Sequence, residues 1–155
     1  MSLRRRTLLR AAAVAALPGL GRAATAHGLP PAASLRQEIA GAVQQRKALV
    51  VMVSLDGCPF CRIARESHLL PLLRDGQPLV QVDMNSPRPL VDALGRASTH
   101  GAQVAAWKIR VAPTLLFLGA DGRELAPRLE GAGIPDFYGA YVEERVATAN
   151  RRAAS

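Results

Sequence analysis

Two cysteines, three positions apart, stand where an apolar run stops and a helical pattern starts, and few folds accommodate that junction. Cys58 and Cys61 are the only cysteines in 155 residues. Upstream, Ala48 to Leu55 is a continuous apolar, partly β-branched run of strand length, as expected of a buried parallel strand. Asp56-Gly57 breaks it. Downstream, Phe60, Ile63, Ala64 and Leu70 recur roughly at helical spacing, with Arg62, Arg65, Glu66 and Ser67 between them. Cys58 then falls in the first turn of a helix, where backbone N–H groups lack intrahelical partners and the macrodipole is positive. Both favour thiolate over thiol. Cys61 sits one turn further in, less exposed and placed to close a disulfide on Cys58. The pattern predicts Cys58 as the attacking thiolate and Cys61 as the resolving thiol.

Other uses of the pair fit less well. A structural disulfide across two residues closes too small a loop to restrict the unfolded chain much. A zinc site needs about four ligands; there is no second cysteine pair, and His68 and His100 would have to complete it. A c-type haem attachment needs His after the second Cys, where this chain has Arg62. C-x-x-C beside a strand–helix pattern is the redox signature. No cofactor is expected beyond the redox-active disulfide of Cys58 and Cys61, and no metal.

The N-terminus reads as an export signal over 1–26. Arg4-Arg5-Arg6 and Arg10 form a basic region, Ala11 to Leu20 a short apolar core, and Ala24-Thr25-Ala26 a cleavage site. Arg5-Arg6 followed by Thr7, Leu8 and Leu9 resembles a twin-arginine signal. The core is too short to span a bilayer, so no stable membrane insertion is expected after cleavage. Losing the leader removes five arginines (Arg4, Arg5, Arg6, Arg10, Arg22) and brings the formal charge from +8 to +3. Nucleic-acid binding then loses its main support. About 130 residues remain, enough for one domain with a real core. The expected location is the periplasm, where disulfides persist.

Along the rest, 27–33 reads as a Gly/Pro/Ala tether, and 34–150 as one domain ending in a frayed Arg151–Ser155 tail. Ser34-Leu35-Arg36-Gln37 is a capping box for a helix ending near Lys47, with Leu35, Ile39 and Val43 stacked. Pro71 should end or kink the Cys58 helix at the preceding residue. Leu79–Asp83 is a strand. The prolines of Asn85–Pro89 exclude regular structure there, and Leu90–Gly95 reads as a short turn of helix. Ser98 or Thr99 caps a helix through Trp107. Lys108–Leu118 is the next strand region, Gly119–Gly122 a hairpin turn, and Glu124–Leu129 a returning edge strand marked by Pro127. Pro135 opens a last helix whose buried stripe is Phe137, Tyr138, Tyr141, Val142 and Val146.

This order, with Cys58-Pro59-Phe60-Cys61 at the first βα junction, Val111-Ala112-Pro113-Thr114 opening the third strand and the Gly119–Gly122 hairpin, resembles the thioredoxin superfamily from about Ser34 to Arg145. Cys-Pro-Phe-Cys alone looks like a glutaredoxin; Lys108–Phe117 and the long helices look more like thioredoxin. The resemblance implies an α/β thioredoxin-like fold, a central mixed sheet of about four strands flanked by helices on both faces. It implies a cis Pro113 beside the active disulfide, an Ala112 backbone that pairs with an extended substrate strand, and substrate contacts from Pro59 and Phe60. Three departures stand out. Met52 occupies the place of the buried Asp that serves the resolving thiol in thioredoxins, leaving Asp56 or water as base. Asp56-Gly57 replaces the usual aromatic. The Cys61-to-Pro113 segment is long, with the extra residues at Asn85–Arg96, near the active face.

His68, on the face of Cys61 but about 10 Å along the axis, reads as a half-buried surface histidine, and Trp107 as core. Arg62 and Arg65 read as a solvated face. The function implied is an exported thiol–disulfide oxidoreductase acting on protein disulfides or dithiols, more a reductase kept reduced by a membrane electron donor than an oxidase. Two other readings stay open: a thioredoxin-like copper or zinc carrier with Cys58 and Cys61 as ligands, and a non-catalytic interaction module.

Overall fold

The computed structural model describes residues 28–132 and 135–155. The expected leader and His27 lie outside them. The elements run α1 Leu35–Gln44, β1 Leu49–Ser54, α2 Pro59–Ile63, a π-helical turn Ala64–Leu69, α3 Leu70–Arg74, β2 Leu79–Asp83, β3 Pro89–Val91, β4 Ala97–Thr99, α4 His100–Ala106, β5 Thr114–Leu118, β6 Leu129–Glu130 and α5 Pro135–Ala154. The main sheet has the order β2-β1-β5-β6. β1 pairs parallel with β2 and antiparallel with β5, so it is the centre of a mixed sheet and not of a parallel one.

All six residues of β1 are buried, and their alternation builds two cores. Val50 and Met52 face a cluster with Cys61, Ala64, Tyr138 and Val142, from the Cys58 helix and α5. Leu49, Val51 and Val53 face Leu35, Ile39 and Val104, from α1 and α4. This is the α/β arrangement that the resemblance implies, a mixed sheet of four strands with helices on both faces. It places the end of β1, and hence Cys58, at one pole of the sheet.

Several local expectations are corrected. Ser34 does cap α1, accepting the Gln37 N–H at 3.3 Å. The helix stops at Gln44, however, because Arg46 takes a positive φ of 55° and Lys47 N–H turns back to the Ala42 carbonyl at 3.0 Å. The 27–33 tether is docked where described: Leu29 and Ala32 are buried, Ala32 N–H donates to Gln81 O and Gln81 N–H to Pro30 O, both at 2.8 Å. Its backbone runs along the outer side of β2.

At Pro71 the helix changes form without stopping: the π-helical turn ends at Leu69 and α3 follows with the proline in its first turn. Pro89 begins a strand, and Leu90 and Val91 pair with Ser98 and Ala97 in a two-stranded β3–β4 hairpin in place of the helical turn expected at Leu90–Gly95. The hairpin carries the extra chain length away from the active pole: of Asn85–Arg96, Ser86 lines the cleft that Cys58 also lines, while Ala93 lies under Gly122 at the far end. The returning strand shrinks to Leu129–Glu130 plus one bridge between Leu118 and Glu124. Between them Ala126 is buried and Pro127 offers no donor.

On α5 the buried stripe is Tyr138, Val142, Val146 and Ala149, spaced four, four and three apart. Phe137 and Tyr141 sit one position ahead of that stripe and stay 59% and 47% exposed. The Arg151–Ser155 tail is helical to Ala154, held by Arg152 on the Leu125 carbonyl (2.7 Å) and by Arg46 on the Ala154 carbonyl (2.8 Å).

Candidate active site

β1 delivers the chain to Leu55-Asp56-Gly57, a turn in which Gly57 has φ of 71°, a conformation side chains disfavour. Cys58 N–H bonds back to Leu55 O at 3.3 Å, and Pro59 occupies the first helical turn, where a missing N–H costs nothing. Cys58 is thereby the N-cap of α2. Its Sγ accepts the Cys61 N–H at 3.2 Å, the bond a serine cap would make. The sulfur is half-buried; Cys61, one turn on, is fully buried.

Across from Cys58, the Ala112–Pro113 peptide bond is cis, and the Ala112 carbonyl lies 3.9 Å from Cys58 Sγ. Thr114 Oγ1 donates to Val111 O at 2.7 Å and fixes that turn. Pro113 is buried, whereas Pro59 is exposed and Phe60 is 54% exposed. Leu55, Ile63 and Val111 add further exposed apolar surface. An open cleft of about 750 Å³ lies on the other side of Cys58, walled by Ser54, Asp56, Pro59, Arg65, Gln81 and Asp83 among others.

Behind the cysteines runs a polar chain for which sequence reasoning had no place. Arg65 is not part of a solvated face. Its Nη2 donates to Ser54 Oγ and its Nε to Gln81 Oε1, both at 3.0 Å. Gln81 Nε2 donates to Asp83 Oδ1 at 2.6 Å. The Asp83 N–H donates to His100 Nδ1 at 2.9 Å, so the neutral ring carries its proton on Nε2 and gives it to Ala32 O at 2.8 Å. His100 is fully buried, a structural tie between the docked tether and β2. The available signal was a lone serine ending an apolar run and a glutamine inside a strand. Arg62 is exposed. Asp56 is exposed and accepts the N–H of Gly57 at 3.0 Å. His68 stacks edge-on against Tyr138, ring centroids 5.5 Å apart, which keeps it on the α5 side. Among the described residues no three His, Cys, Asp or Glu side chains gather as a metal site would need.

Burial pushes the Cys61 thiol above its ordinary pKa, reinforced by its hydrogen bond with Cys58; hydrogen bonds from the Leu55 backbone and the Ser54 side chain pull the other way. Burial, with a smaller contribution from the charge of Cys61, raises Tyr138 well above a usual tyrosine, and its hydroxyl has no hydrogen-bond partner among the described residues. Both groups hold their protons more tightly folded than unfolded. The stability they contribute is therefore complete below about pH 8.5 and is lost as the pH rises through the folded values. Urea titrations of the reduced protein should show a falling midpoint above that pH, and a smaller fall once Cys61 is in a disulfide. A flat profile to about pH 11 would contradict the assignment.

No family model matches the chain, and no curated protein matches it in sequence. Among solved structures it is similar to the DsbH oxidoreductase (17% identity, 88% of this chain and 95% of that one, TM-score 0.49). It is also similar to a poplar thioredoxin h (20%, 70% and 85%, 0.46), and to the reduced periplasmic thioredoxin SoxS from Paracoccus pantotrophus (19%, 66% and 99%, 0.43).

Proposed function

We propose that the chain is a thiol–disulfide oxidoreductase that exchanges disulfides with exported proteins through Cys58-Pro59-Phe60-Cys61. One observation carries this: a half-buried sulfur at the tip of a helix, accepting an N–H from the residue that carries a second, fully buried sulfur one turn away. The Cys61 N–H is aimed at the atom on which negative charge would sit, so it stabilises Cys58 both as attacking thiolate and as leaving group. Cys58 attacks a substrate disulfide, releasing one substrate thiolate and forming a mixed disulfide. Cys61 then attacks Cys58 Sγ and releases the second.

The Ala112 backbone beside Cys58 would hold an extended substrate segment, with Pro113 behind it and the exposed ring of Phe60 and the edge of Pro59 as apolar contacts. Export rests on the basic, apolar and small-residue leader; a twin-arginine route and a membrane electron donor belong to the same reading. No helix among the described residues is long and apolar enough to cross a membrane. The reading favours reduction over oxidation. Insulin reduction with dithiothreitol as electron source should accelerate, and equilibration with glutathione should give a potential below about −200 mV. A potential near −120 mV would make the chain an oxidant, and no acceleration at all would end the proposal.

A further inference from the structure

Cys58 can be approached from two sides. The Ala112–Pro113 side suits an extended chain. The other side is the open cleft of about 750 Å³, within the size range of small-molecule sites, and neither Ala112 nor Pro113 lines it. Exchange with protein disulfides leaves it unused. The charged side chains along its wall are Asp56, Arg62, Arg65 and Asp83, two of each sign. Such a wall selects by placement of charge and not by net charge, and it suits a ligand that carries both signs close together. Its arginine is held in advance. Arg65 Nε donates to Gln81 Oε1 and Nη2 to the buried Ser54 Oγ, both at 3.0 Å, and no described residue accepts from the remaining N–H groups. A guanidinium is a planar fork of donors that matches a carboxylate, and one already fixed loses little freedom on binding it. The acids complete the wall. Asp83 Oδ1 accepts from Gln81 Nε2 at 2.6 Å. Its Oδ2 lies 3.7 Å from His100 Nδ1, which is itself an acceptor because it takes the Asp83 N–H. That oxygen and the exposed Asp56 carboxylate are left for an ammonium.

A disulfide, an ammonium and a carboxylate lie within a few bonds of one another in the disulfide of a free α-amino thiol. We propose that the cleft receives free cystine, so that the chain reduces a low-molecular-weight disulfide as well as protein disulfides. Arg65 holds the carboxylate, and Asp83 and Asp56 the ammonium, of the half that lies in the cleft. The proposal rests on the exchange reading above. In the first step the Cys58 thiolate bonds to one cystine sulfur, the cystine S–S bond breaks, and its electron pair leaves on one cysteine thiolate, which takes a proton from water. Cys61 then gives its proton to solvent and bonds to Cys58 Sγ, and the second cysteine leaves in the same way. Cystine gains two electrons, and the protein holds a Cys58–Cys61 disulfide until a dithiol donor reduces it.

The test mixes reduced protein with one disulfide at a time at neutral pH and follows the loss of protein thiols by alkylation and intact mass. Each rate is divided by that of dithiothreitol with the same disulfide, which removes intrinsic reactivity. On that scale cystine should react about tenfold faster than the uncharged hydroxyethyl disulfide. Cystine dimethyl ester, whose carboxylates are capped, and dithiodipropionate, which has no ammonium, should lose most of that advantage. In Arg65→Gln the ratio of cystine to hydroxyethyl disulfide should fall about tenfold, and Asp83→Asn should lower it as well. Structural damage would slow both disulfides and leave the ratio where it was. If Arg65→Gln fails to fold, the series of disulfides on the wild type carries the test. A wild-type ratio of about one, a ratio unmoved by Arg65→Gln, or dithiodipropionate matching cystine overturns the proposal alone. Albumin carrying cysteine on its free thiol offers the same half-group on a macromolecule, and faster release of cysteine from it than from cystine would overturn the assignment to the free compound. No reaction with any disulfide overturns the exchange reading and the proposal with it.

Discussion

Cys58→Ser is expected to reduce insulin no faster than dithiothreitol alone, while Cys61→Ser accumulates a one-to-one mixed disulfide with its substrate. The asymmetry follows from access. The Cys58 sulfur is half-buried and borders the cleft, whereas Cys61 is fully buried and meets a substrate only through Cys58. Serine at 58 can still accept the Cys61 N–H as an N-cap, so the helix start survives and the loss is chemical. The expected fall is on the order of 10³-fold, about 4 kcal/mol of barrier. In Cys61→Ser the first attack proceeds and the second sulfur is missing, so the intermediate persists. Non-reducing gels and intact mass read both outcomes. Equal trapping through Cys61 in Cys58→Ser would mean that the buried sulfur reaches substrate unaided, and the assignment of roles would be reversed.

His100→Ala is expected to lower the unfolding free energy by about 4 kcal/mol. The imidazole accepts the Asp83 N–H and donates to the Ala32 carbonyl, and its removal leaves both without a partner in a fully buried setting. Each orphaned group costs roughly 1–3 kcal/mol, and the vacated volume adds to that. Because His100 joins the docked tether to β2 and α4, amide exchange at Ala32 and Asp83 should quicken along with the global loss. Urea unfolding measures the first effect and hydrogen exchange the second. A loss under about 1 kcal/mol would show that water takes over both bonds.

What could be read from the residues was whatever a single element states by itself. The apolar run of β1, the strand Leu79–Asp83 and the Ser34 and Thr99 caps carry their signal in local spacing or in one side chain, and each is in place. The cysteine pair is legible for the same reason: a strand end, a turn and a helix start are contiguous. The missed features are made between elements. The docked tether is held by its own backbone groups, on Gln81 and on the ring of His100, and backbone groups leave no mark in a sequence. Strands β3 and β4 are three residues each, too short for an alternation to register. Arg65 looked like surface because its partners Ser54 and Gln81 come from two neighbouring strands, and the π-helical turn changes the facing of that helix. Phe137 and Tyr141 looked buried because helical spacing gives a stripe its width but not the angle at which α5 docks.

The strip of chain at 30–32 has one more effect. It occupies the outer rim of β2 with backbone hydrogen bonds, and the opposite rim, β6, is two residues long and follows Pro127. Neither side leaves a long row of unmet amides for a stranger to zip onto. Under the exchange reading proposed above, that cover would keep extended substrates from joining the sheet laterally and staying. Their backbones would be turned away at the flanks, leaving the pole that carries the sulfur.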